Sequence, residues 1–341
     1  MSGSPRRGIL AGGNFVVDHV KQIDHYPEQD QLTLVRERTL SNGGGPYNLL
    51  KDLAAMQLDV PLQAVALIGD DANGQWIVED CRRSEIDVRQ LHRTSEAETS
   101  WTDVMSVVSS GRRTFFHHAG TNAMLSAEHF DFSEVTARIF YLGYLTLLQK
   151  LDELDEQGKV RACHVLEQAK AAGLVTVADT VSGNHPRFTE IVTAAAPELD
   201  YLLLNELEAG WLVGRALDGS GPNSLEALES AVRELLGLGV RQAVIIHFER
   251  GAVSAWRDGN CYHQGAVLLP KDLIRGTVGA GDAFAAGYLH GVHEAKTPQE
   301  CLYQAMGCAA ACLTDPTPSG GLRPVDECLE LARRYGCHRL Q

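Results

Sequence analysis

The sequence has no excess of basic residues. Its 30 lysines and arginines are outnumbered by 44 aspartates and glutamates, which gives a formal net charge of −14 at pH 7. Proteins that bind nucleic acid or anionic membranes obtain most of their affinity from basic side chains. The charge balance therefore argues against both kinds of partner and favours a small-molecule ligand.

Long hydrophobic runs are also missing. No stretch of the sequence approaches the roughly 18 consecutive apolar residues that a membrane-spanning helix needs. The opening MSGSPRRGILAGG contains two arginines, but its apolar stretch is too short for a secretion signal. From these absences we predict a cytoplasmic protein.

The eight cysteines form no C-x-x-C pair, and their scatter along the chain is typical of reduced thiols. Cys308 and Cys312 lie one helical turn apart, but no histidine stands near them at metal-ligand spacing. We therefore expect both to be buried apolar residues and not metal ligands.

Two nucleotide-binding motifs are absent as well. The first predicted strand leads into AGGNFVVD and not into the G-x-G-x-x-G of dinucleotide-binding enzymes, and no G-x-x-x-x-G-K-[ST] motif occurs. A nicotinamide oxidoreductase and a P-loop kinase are both excluded on these grounds.

What the chain does contain is a regular alternation of strand and helix patterns. Buried strands are predicted from the segments GILAGGNFVVD, LQAVALIGD, ARIFYLGYL, LVTVADT, LDYLLLNELE and RQAVIIHFE. Helical spacing occurs in PYNLLKDLAAMQ, GQWIVEDCRRS, DEQGKVRACHVLEQAKAAG, SLEALESAVRELLGLG and AGDAFAAGYLHGVHEA. This order predicts an α/β fold, a mainly parallel sheet covered on both faces, with ligands beyond the carboxyl ends of the strands.

Two segments depart from this alternation. Residues 19–40 and 99–118 read as alternating strands, the second as a hairpin that turns at Ser109–Gly111. We predict a small β lid formed by these segments over a main domain of residues 1–18, 41–98 and 119–341. An edge extension of the main sheet is the alternative.

The segment RGTVGAGDAFAAG combines a glycine-bearing turn with the start of a helix. Backbone N–H groups of Gly279, Ala280 and Gly281 can approach an anion closely, because these residues have almost no side chain and a helix N-terminus offers unpaired donors. Asp282 in the first turn could accept a proton from an attacking hydroxyl group. A simple helix cap is the alternative explanation of this aspartate.

A second glycine-rich segment, SNGGGPYNLL, also precedes a predicted helix. Gly43 and Gly44 would let a polar ligand lie against the backbone, and Asn48 could supply a donor and an acceptor. Asp18 follows the first strand and could accept hydrogen bonds from two hydroxyl groups, although a turn-forming aspartate is the alternative.

Asn205 and Glu208 follow the strand pattern LLLNELEAG. Their spacing could orient hydrated Mg²⁺ and nucleotide phosphates. The same spacing is that of a capping box, in which the two side chains only terminate the helix backbone.

Taken in order, these motifs resemble those of the ribokinase family, also called the PfkB carbohydrate kinases. The resemblance covers nearly the whole chain: GGNFVVD near the start, GGGPYN as the family's G-G-x-x-x-N, IGDDANG at 68–74, NELE as its N-x-x-E, and TVGAGDAFAAG as its C-terminal signature. It implies a three-layer ribokinase-like α/β/α fold with a β lid and ATP-dependent phosphorylation of a sugar or similar alcohol.

The resemblance also implies roles for individual residues. Asp282 would be the catalytic base beside an anion hole at positions 279–281, and Asp18, Gly43, Gly44 and Asn48 would hold the substrate. The expected nucleotide contacts are Asn205, Glu208, Gly251 and Thr277, with Glu208 holding Mg²⁺ through water. A homodimer through the lid is expected from relatives.

Two positions depart from the family pattern. Many members have an aspartate that supports a monovalent cation where this chain has Gly276, so potassium activation is not expected here. Ile246, His247 and Phe248 replace the family's T-L-G beside the nucleotide, while Gly251 is retained. We expect His247 to be a packed or loop histidine and not a base.

The substrate is less well defined by the sequence. The segment RRTFFHHAGTN resembles the approach to the sugar site in relatives, which would place His118, Thr121 and Asn122 against the sugar. Arg112 and Arg113 are expected in a solvated turn, although they could meet a substrate phosphate. A neutral polyol is the preferred substrate class; a nucleoside kinase and a non-catalytic sugar- or nucleotide-binding relative are the alternatives.

Overall fold

The computed structural model describes residues 6–109, 112–183, 185–219 and 224–340. The strands are β1 (Ile9–Gly13), β2 (Val16–Ile23), β3 (Val35–Gly43), β4 (Leu62–Gly69), β5 (Asp87–Thr94), β6 (Trp101–Val107), β7 (Arg113–His118), β8 (Ile139–Leu145), β9 (Val175–Thr180), β10 (Tyr201–Asn205), β11 (Ala243–Phe248), β12 (Gly251–Trp256) and β13 (Cys261–Gly265). The helices are α1 (Gly45–Ala55), α2 (Ala72–Arg83), α3 (Gln149–Asp152), α4 (Arg161–Ala171), α5 (Phe188–Ala195), α6 (Glu206–Val213), α7 (Ser224–Leu236), α8 (Ala280–His293), α9 (Pro298–Cys312) and α10 (Val325–Tyr335).

Local sequence signals explain where several helices begin and end. The Asp71 side chain accepts a hydrogen bond from the Gly74 amide (2.8 Å) and so caps α2, while Thr297 and Glu300 form a capping box at the start of α9. Helix α6 ends at Gly214, whose φ of 68° is left-handed and suits glycine.

The larger sheet has the strand order β13-β12-β11-β10-β9-β8-β1-β4-β5. Every neighbouring pair from β11 through to β5 is parallel, whereas β12 and β13 are added as an antiparallel edge. The carboxyl ends of the parallel strands therefore lie along one edge, where ligands bind in such sheets.

Hydrophobic side chains cover both faces of this sheet. Successive residues of β1 alternate between the two: Ile9 and Ala11 belong to the apolar cluster that includes α1, α2, α8, α9 and α10, and Leu10 belongs to the cluster that includes α4, α5, α6 and α7. The structure thus has three layers, with helices on each side of a mainly parallel sheet, which confirms the predicted α/β/α class.

A second sheet has the order β3-β2-β6-β7. Its outer pairs are antiparallel, while β2 and β6 in the middle are parallel. These strands form a sheet of their own and do not extend the edge of the large one. The division into a lid and a main domain stays a prediction, and part of the predicted turn, residues 110 and 111, lies outside the described residues.

The eight cysteines are free thiols. Cys308 and Cys312 are both fully buried among apolar side chains, which confirms the expectation that they are core residues. In the described part of the chain, no helix has both the length and the apolar character needed to cross a membrane.

Candidate active site

The predicted base, Asp282, lies in the first turn of α8 and is buried. Asn48 donates its amide N–H to Asp282 Oδ2 (2.8 Å), and the Tyr144 hydroxyl donates to Oδ1 (2.7 Å). Burial raises the pKa of Asp282 to about 6, and the two hydrogen bonds oppose part of this rise because they stabilise the carboxylate. A carboxylate with this pKa can both accept and release a proton near neutral pH.

The backbone before Asp282 is shaped by glycine. Gly279 has a φ of 82°, and a Cβ atom at this position would lie 2.6 Å from the Pro318 carbonyl oxygen. The turn therefore needs a residue without a side chain. Because the first amides of a helix have no intrahelical acceptor, positions 279–281 lie at the positive end of the helix dipole with amides that can face an anion. The Ala280 amide makes a long hydrogen bond (3.4 Å) to the Thr277 carbonyl oxygen.

Asp18 lies on β2 in the small sheet, opposite Ser41 on one side and Thr102 on the other. A Cβ atom at Gly43 would lie 2.4 Å from Asp18 Oδ1, so the glycine lets the two groups approach. Burial raises the pKa of Asp18 to about 7, while the Thr102 hydroxyl and the charge of Arg113 oppose the rise.

Gly44 and Asn48 connect the small sheet with α1. Gly44 has a φ of 85°, and a Cβ atom there would lie 2.3 Å from the Asn14 carbonyl oxygen. Asn48 is held between two groups, because Asn42 Nδ2 donates to its Oδ1 (2.7 Å) and its own Nδ2 donates to Asp282. The structure therefore brings Asn48 and Asp282 together directly.

Asn205 and Glu208 form a complete capping box at the start of α6. Asn205 Nδ2 donates to Glu208 Oε1 (2.8 Å), the Asn205 amide donates to Glu208 Oε2 (3.0 Å), and the Ser182 hydroxyl also donates to Oε1 (2.8 Å). Burial raises the pKa of Glu208, with these hydrogen bonds opposing the rise. Both carboxylate oxygens thus already accept hydrogen bonds from the protein.

Two cavities meet at this place. A small cavity of about 250 Å³ is lined by Asp282, Gly279, Gly281, Asn205 and Glu208, among others. A large cavity of about 960 Å³ adjoins it and continues between α9 and the segment 266–269. In the described ranges, no group of three or more His, Cys, Asp or Glu residues forms a metal-binding cluster.

Of the two remaining predicted nucleotide contacts, Thr277 lines the cavities and Gly251 does not. Thr277 is exposed and lines both cavities. Gly251 begins β12, where a Cβ atom would lie 2.4 Å from the Gln264 carbonyl oxygen. The close passage of β13 is sufficient reason for a glycine here.

The structure does not bring Asn122 or His118 to the predicted substrate site. Asn122 is fully buried, and its side-chain amide pairs with the backbone of Phe15, as donor (3.2 Å) and acceptor (3.4 Å). His118 pairs in register with Trp101, and their rings stack at 5.3 Å. Because side chains alternate along strands, His118 points away from the face that carries Asp18 and Thr102, and His117 points toward it.

Arg113 also differs from expectation. It is half-buried, and it donates a hydrogen bond to the Pro316 carbonyl oxygen far along the chain. Burial lowers the pKa of this guanidinium group, while the charges of Asp18 and Asp315 oppose the change. The expected solvated turn is therefore wrong for Arg113, which connects the small sheet with the loop that follows α9.

Several site residues were missed in the sequence. Tyr144 ends a region that reads only as a buried strand, and Asn14 and Asn42 read as ordinary polar residues beside glycines. Asn14 Oδ1 accepts a hydrogen bond from the Tyr144 amide (2.6 Å), and Asn42 Nδ2 also donates to Ser319 Oγ (3.0 Å). A polar residue next to a conformationally special glycine was the available signal for Asn14 and Asn42.

A buried carboxylate beside a glycine-bearing helix N-terminus, at the carboxyl edge of a parallel sheet and facing a small β sheet, is the arrangement of an α/β small-molecule kinase. The model of the pfkB family carbohydrate kinases matches residues 12–323. The chain belongs to this family, and it is an ATP-dependent kinase that acts on sugars.

The curated relatives are distant but cover most of the chain. A ribokinase of Arabidopsis thaliana is 23% identical over 307 residues, which are 89% of this chain and 76% of the relative. An ATP-dependent ribose-1-phosphate kinase of Halopiger xanaduensis is 25% identical over 281 residues, 82% of this chain and 83% of the relative.

Solved structures show the same fold. A ribokinase from Thermotoga maritima superposes with a TM-score of 0.77 at 20% identity, covering 96% of this chain and 99% of the other. Arabidopsis thaliana ribokinase complexed with ribose and ATP gives a TM-score of 0.75 at 20% identity, covering 95% of this chain and 98% of the other.

Proposed function

We propose that the chain transfers the γ-phosphoryl group of ATP to a hydroxyl group of a neutral sugar, with Asp282 as the catalytic base. The observation that carries this proposal is the buried Asp282 carboxylate in the first turn of α8, with its helix N-terminus open to the small cavity. A carboxylate held beside an anion-binding site can deprotonate the attacking hydroxyl group where the phosphoryl group is transferred.

In the proposed step, Asp282 accepts the hydroxyl proton as the sugar oxygen forms a bond to the γ-phosphorus. The bond between that phosphorus and the bridging oxygen breaks, and ADP leaves with the bonding electron pair. Amides at positions 279–281 donate hydrogen bonds to the charge that develops on the transferred group. Tyr144 and Asn48 orient the Asp282 carboxylate for the transfer.

A neutral sugar is supported by the charges around Asp18. Its carboxyl group lies next to Gly43 and accepts from Thr102, so a sugar hydroxyl group can share the same acceptor. Arg113 interacts electrostatically with Asp18 and Asp315, and it already donates a hydrogen bond to the Pro316 carbonyl oxygen. Its positive charge is thus balanced within the protein, which favours a substrate without a phosphate group.

Magnesium belongs to the proposal as a partner of the nucleotide phosphates, whose negative charge it would neutralise. We assign this role to Glu208 through water, since both of its carboxylate oxygens already accept hydrogen bonds from Asn205 and Ser182. No monovalent cation is included, since Gly276 offers no carboxylate and a Cβ atom there would lie 3.4 Å from Arg113 Nη2.

A homodimer through the small sheet and a cytoplasmic location complete the proposal. Apolar side chains on one face of the small sheet support the dimer: Leu40 is 42% exposed and Phe116 is 50% exposed. Exposed apolar groups gathered on one element are typical of an interaction surface.

The proposal is tested with Asp282→Asn, which cannot accept the proton. Because general base catalysis contributes about 10²- to 10⁴-fold, we expect kcat to fall by about that factor while ATP affinity stays within about threefold. ADP release is measured with sugars, polyols and nucleosides, and ATP binding by calorimetry. Asp272→Asn, at an exposed residue before α8, is the control.

Near-normal turnover of Asp282→Asn would disprove the role of this residue. Preference of the wild-type protein for a nucleoside would identify the alternative substrate class. ATP binding without phosphoryl transfer to any alcohol in the panel would favour a non-catalytic relative.

A further inference from the structure

His247 stands at the junction of the two cavities. It is the penultimate residue of β11 and pairs in register with Asn205 at the end of β10. The residues that line both cavities are Ser182, Asn205, His247, Thr277, Ala280 and Gly281. A nucleotide that fills the large cavity and extends its phosphates toward Asp282 must pass these six residues.

The imidazole ring is fixed against the start of α8. It packs on the Phe284 ring at 5.2 Å between centroids. A Cβ atom at Gly281 would lie 3.4 Å from His247 Cε1 and 3.6 Å from Nε2, so this edge of the ring lies beside the proposed anion hole. The ring is therefore held in one place, with a nitrogen close to the helix N-terminus.

The polar groups next to it are already engaged. Asn205 Nδ2 donates to both Glu208 Oε1 and Ser182 Oγ, and the Ser182 hydroxyl donates to Glu208. Within the described ranges, neither ring nitrogen of His247 has a hydrogen-bond partner, and burial is the sole cause of the ring's lowered pKa. The ring can therefore donate an N–H to a phosphate without breaking a hydrogen bond inside the protein. Polar groups next to a ligand cavity without a protein partner are candidates for ligand contacts.

The charged side chains that line the cavities also favour a neutral donor at this position. Asp179, Glu208 and Asp282 line the small cavity, whose lining in the described residues contains no lysine or arginine, whereas the large cavity is lined by Arg250 as well as by Glu206 and Glu249. The carboxylates of the small cavity repel a phosphate that extends into it, so neutral donors favour binding there. Burial lowers the pKa of His247 to about 4, which keeps the ring neutral at pH 7 with one nitrogen as a donor.

We infer that His247 is a nucleotide-binding residue whose ring N–H donates a hydrogen bond to a phosphate oxygen of the bound nucleotide. The inference rests on the proposed function, because it places the nucleotide in the large cavity. Both side-chain N–H groups of Asn205 already donate within the protein, so the hydrogen bond to the phosphate is assigned to His247. The residue acts in binding the phosphates and has no part in accepting the sugar proton.

The test compares ADP with adenosine, which lacks phosphate. A lost hydrogen bond to a charged group reduces affinity by about tenfold or more, so we expect His247→Leu to weaken ADP binding by that factor and to leave adenosine unaffected. His247→Gln keeps an N–H donor and should stay within about threefold of the wild-type protein. His263→Leu, on β13 and outside both cavities, is the control.

Equal losses for ADP and adenosine, or no loss for either, would overturn the inference. A second measurement uses the wild-type protein with ¹⁵N-labelled histidine, with the His247 signals assigned by their absence in His247→Gln. ADP should shift the ring nitrogen signals of His247 and adenosine should not; signals unmoved by ADP would also refute the contact.

The two proposals fail in different ways. A wild-type protein that binds no ADP would contradict the proposed function itself. Normal ADP binding by both the wild-type protein and His247→Leu would contradict only the role of His247.

Discussion

At the scale of single residues, the site depends on how Asp282 is hydrogen-bonded. Asn48 and Tyr144 each donate to one of its carboxylate oxygens, and Asn42 fixes the orientation of the Asn48 amide by donating to its oxygen. Burial alone would raise the pKa of Asp282 further, so the two donors keep the carboxylate ionised closer to neutral pH. The base and its donors therefore act together.

This arrangement predicts the pH dependence of turnover. A base is active when deprotonated, so kcat/KM should fall as the pH drops through about 6, the pKa of Asp282. Tyr144→Phe removes a donor to the carboxylate, which raises that pKa and should move the acid limb up by about one pH unit. The measurement is a pH profile of kcat/KM for both proteins.

Tyr288→Phe is the matched control, since Tyr288 lies on α8, the helix that carries Asp282, and its buried hydroxyl has no partner in the described residues. Burial raises the pKa of Asp18 to about 7, so Asp18 titrates in the same pH range as Asp282. The test is therefore the difference between the acid limbs of the variant and the wild-type protein, and not the pH at which either limb lies. An acid limb that is the same in Tyr144→Phe and in the wild-type protein would contradict the assignment.

At the scale of elements, the small sheet is attached to the main part of the molecule through Arg113. This residue begins β7 and reaches the Pro316 carbonyl oxygen in the loop after α9. The same loop packs against the anion-hole turn, because the Pro318 carbonyl oxygen lies where a side chain of Gly279 would be. Strand β7 and the turn before α8 are therefore coupled through one loop.

Loss of this contact should weaken sugar binding more than nucleotide binding. Arg113→Gln removes the charge that lowers the pKa of Asp18 and loosens β7, so we expect KM for the sugar to rise by about three- to tenfold. The KM for ATP should change by less than about twofold. Steady-state kinetics with each substrate varied in turn measures both effects.

Arg38→Gln serves as the control, because Arg38 is an exposed residue of β3 on the same small sheet. A sugar KM that is unchanged in Arg113→Gln would show that the contact between β7 and the loop has no part in substrate binding.

At the scale of the whole molecule, the proposed dimer places one small sheet against another. Leu40 and Phe116 belong to one row of the sheet, since Leu40 pairs with His19, His19 with Asp103, and Asp103 with Phe116. Asp18 and Thr102 precede His19 and Asp103, respectively, by one residue and so point to the other face. This row is therefore available to a partner without blocking the site.

The double variant Leu40→Asp with Phe116→Asp should convert a dimer to a monomer, because charged groups at an apolar contact lose their hydration. Light scattering after gel filtration measures the molar mass. Leu154→Asp replaces an equally exposed leucine outside the small sheet and should keep the mass of the wild-type protein. A wild-type protein with the mass of one chain would disprove the dimer.

The sequence alone determined the class of fold and the order of the motifs. Buried strands alternate with amphipathic helices in the printed order, and strand periodicity indicated β3, β6, β7 and the second half of β2. The first residues of β2, 16–18, were assigned to the first strand of the main sheet, but they belong to the small sheet. Glycines at 43, 44 and 279 were recognisable because a special backbone needs residues without side chains. Asp282 was recognisable because it follows such a turn at the start of a helix.

Only the tertiary structure decided which polar side chains meet. Tyr144 is 138 residues from Asp282, and Arg113 is 203 residues from Pro316, and no local pattern encodes contacts at such separations. The same limit explains why the predictions for Asn122 and His118 were wrong. His118 points to the face of the small sheet opposite to Asp18, and Asn122 is fully buried, although both share a segment with neighbours of Asp18. Local periodicity specifies elements, whereas the packing of elements decides which donors face the carboxylates and which are used by the backbone.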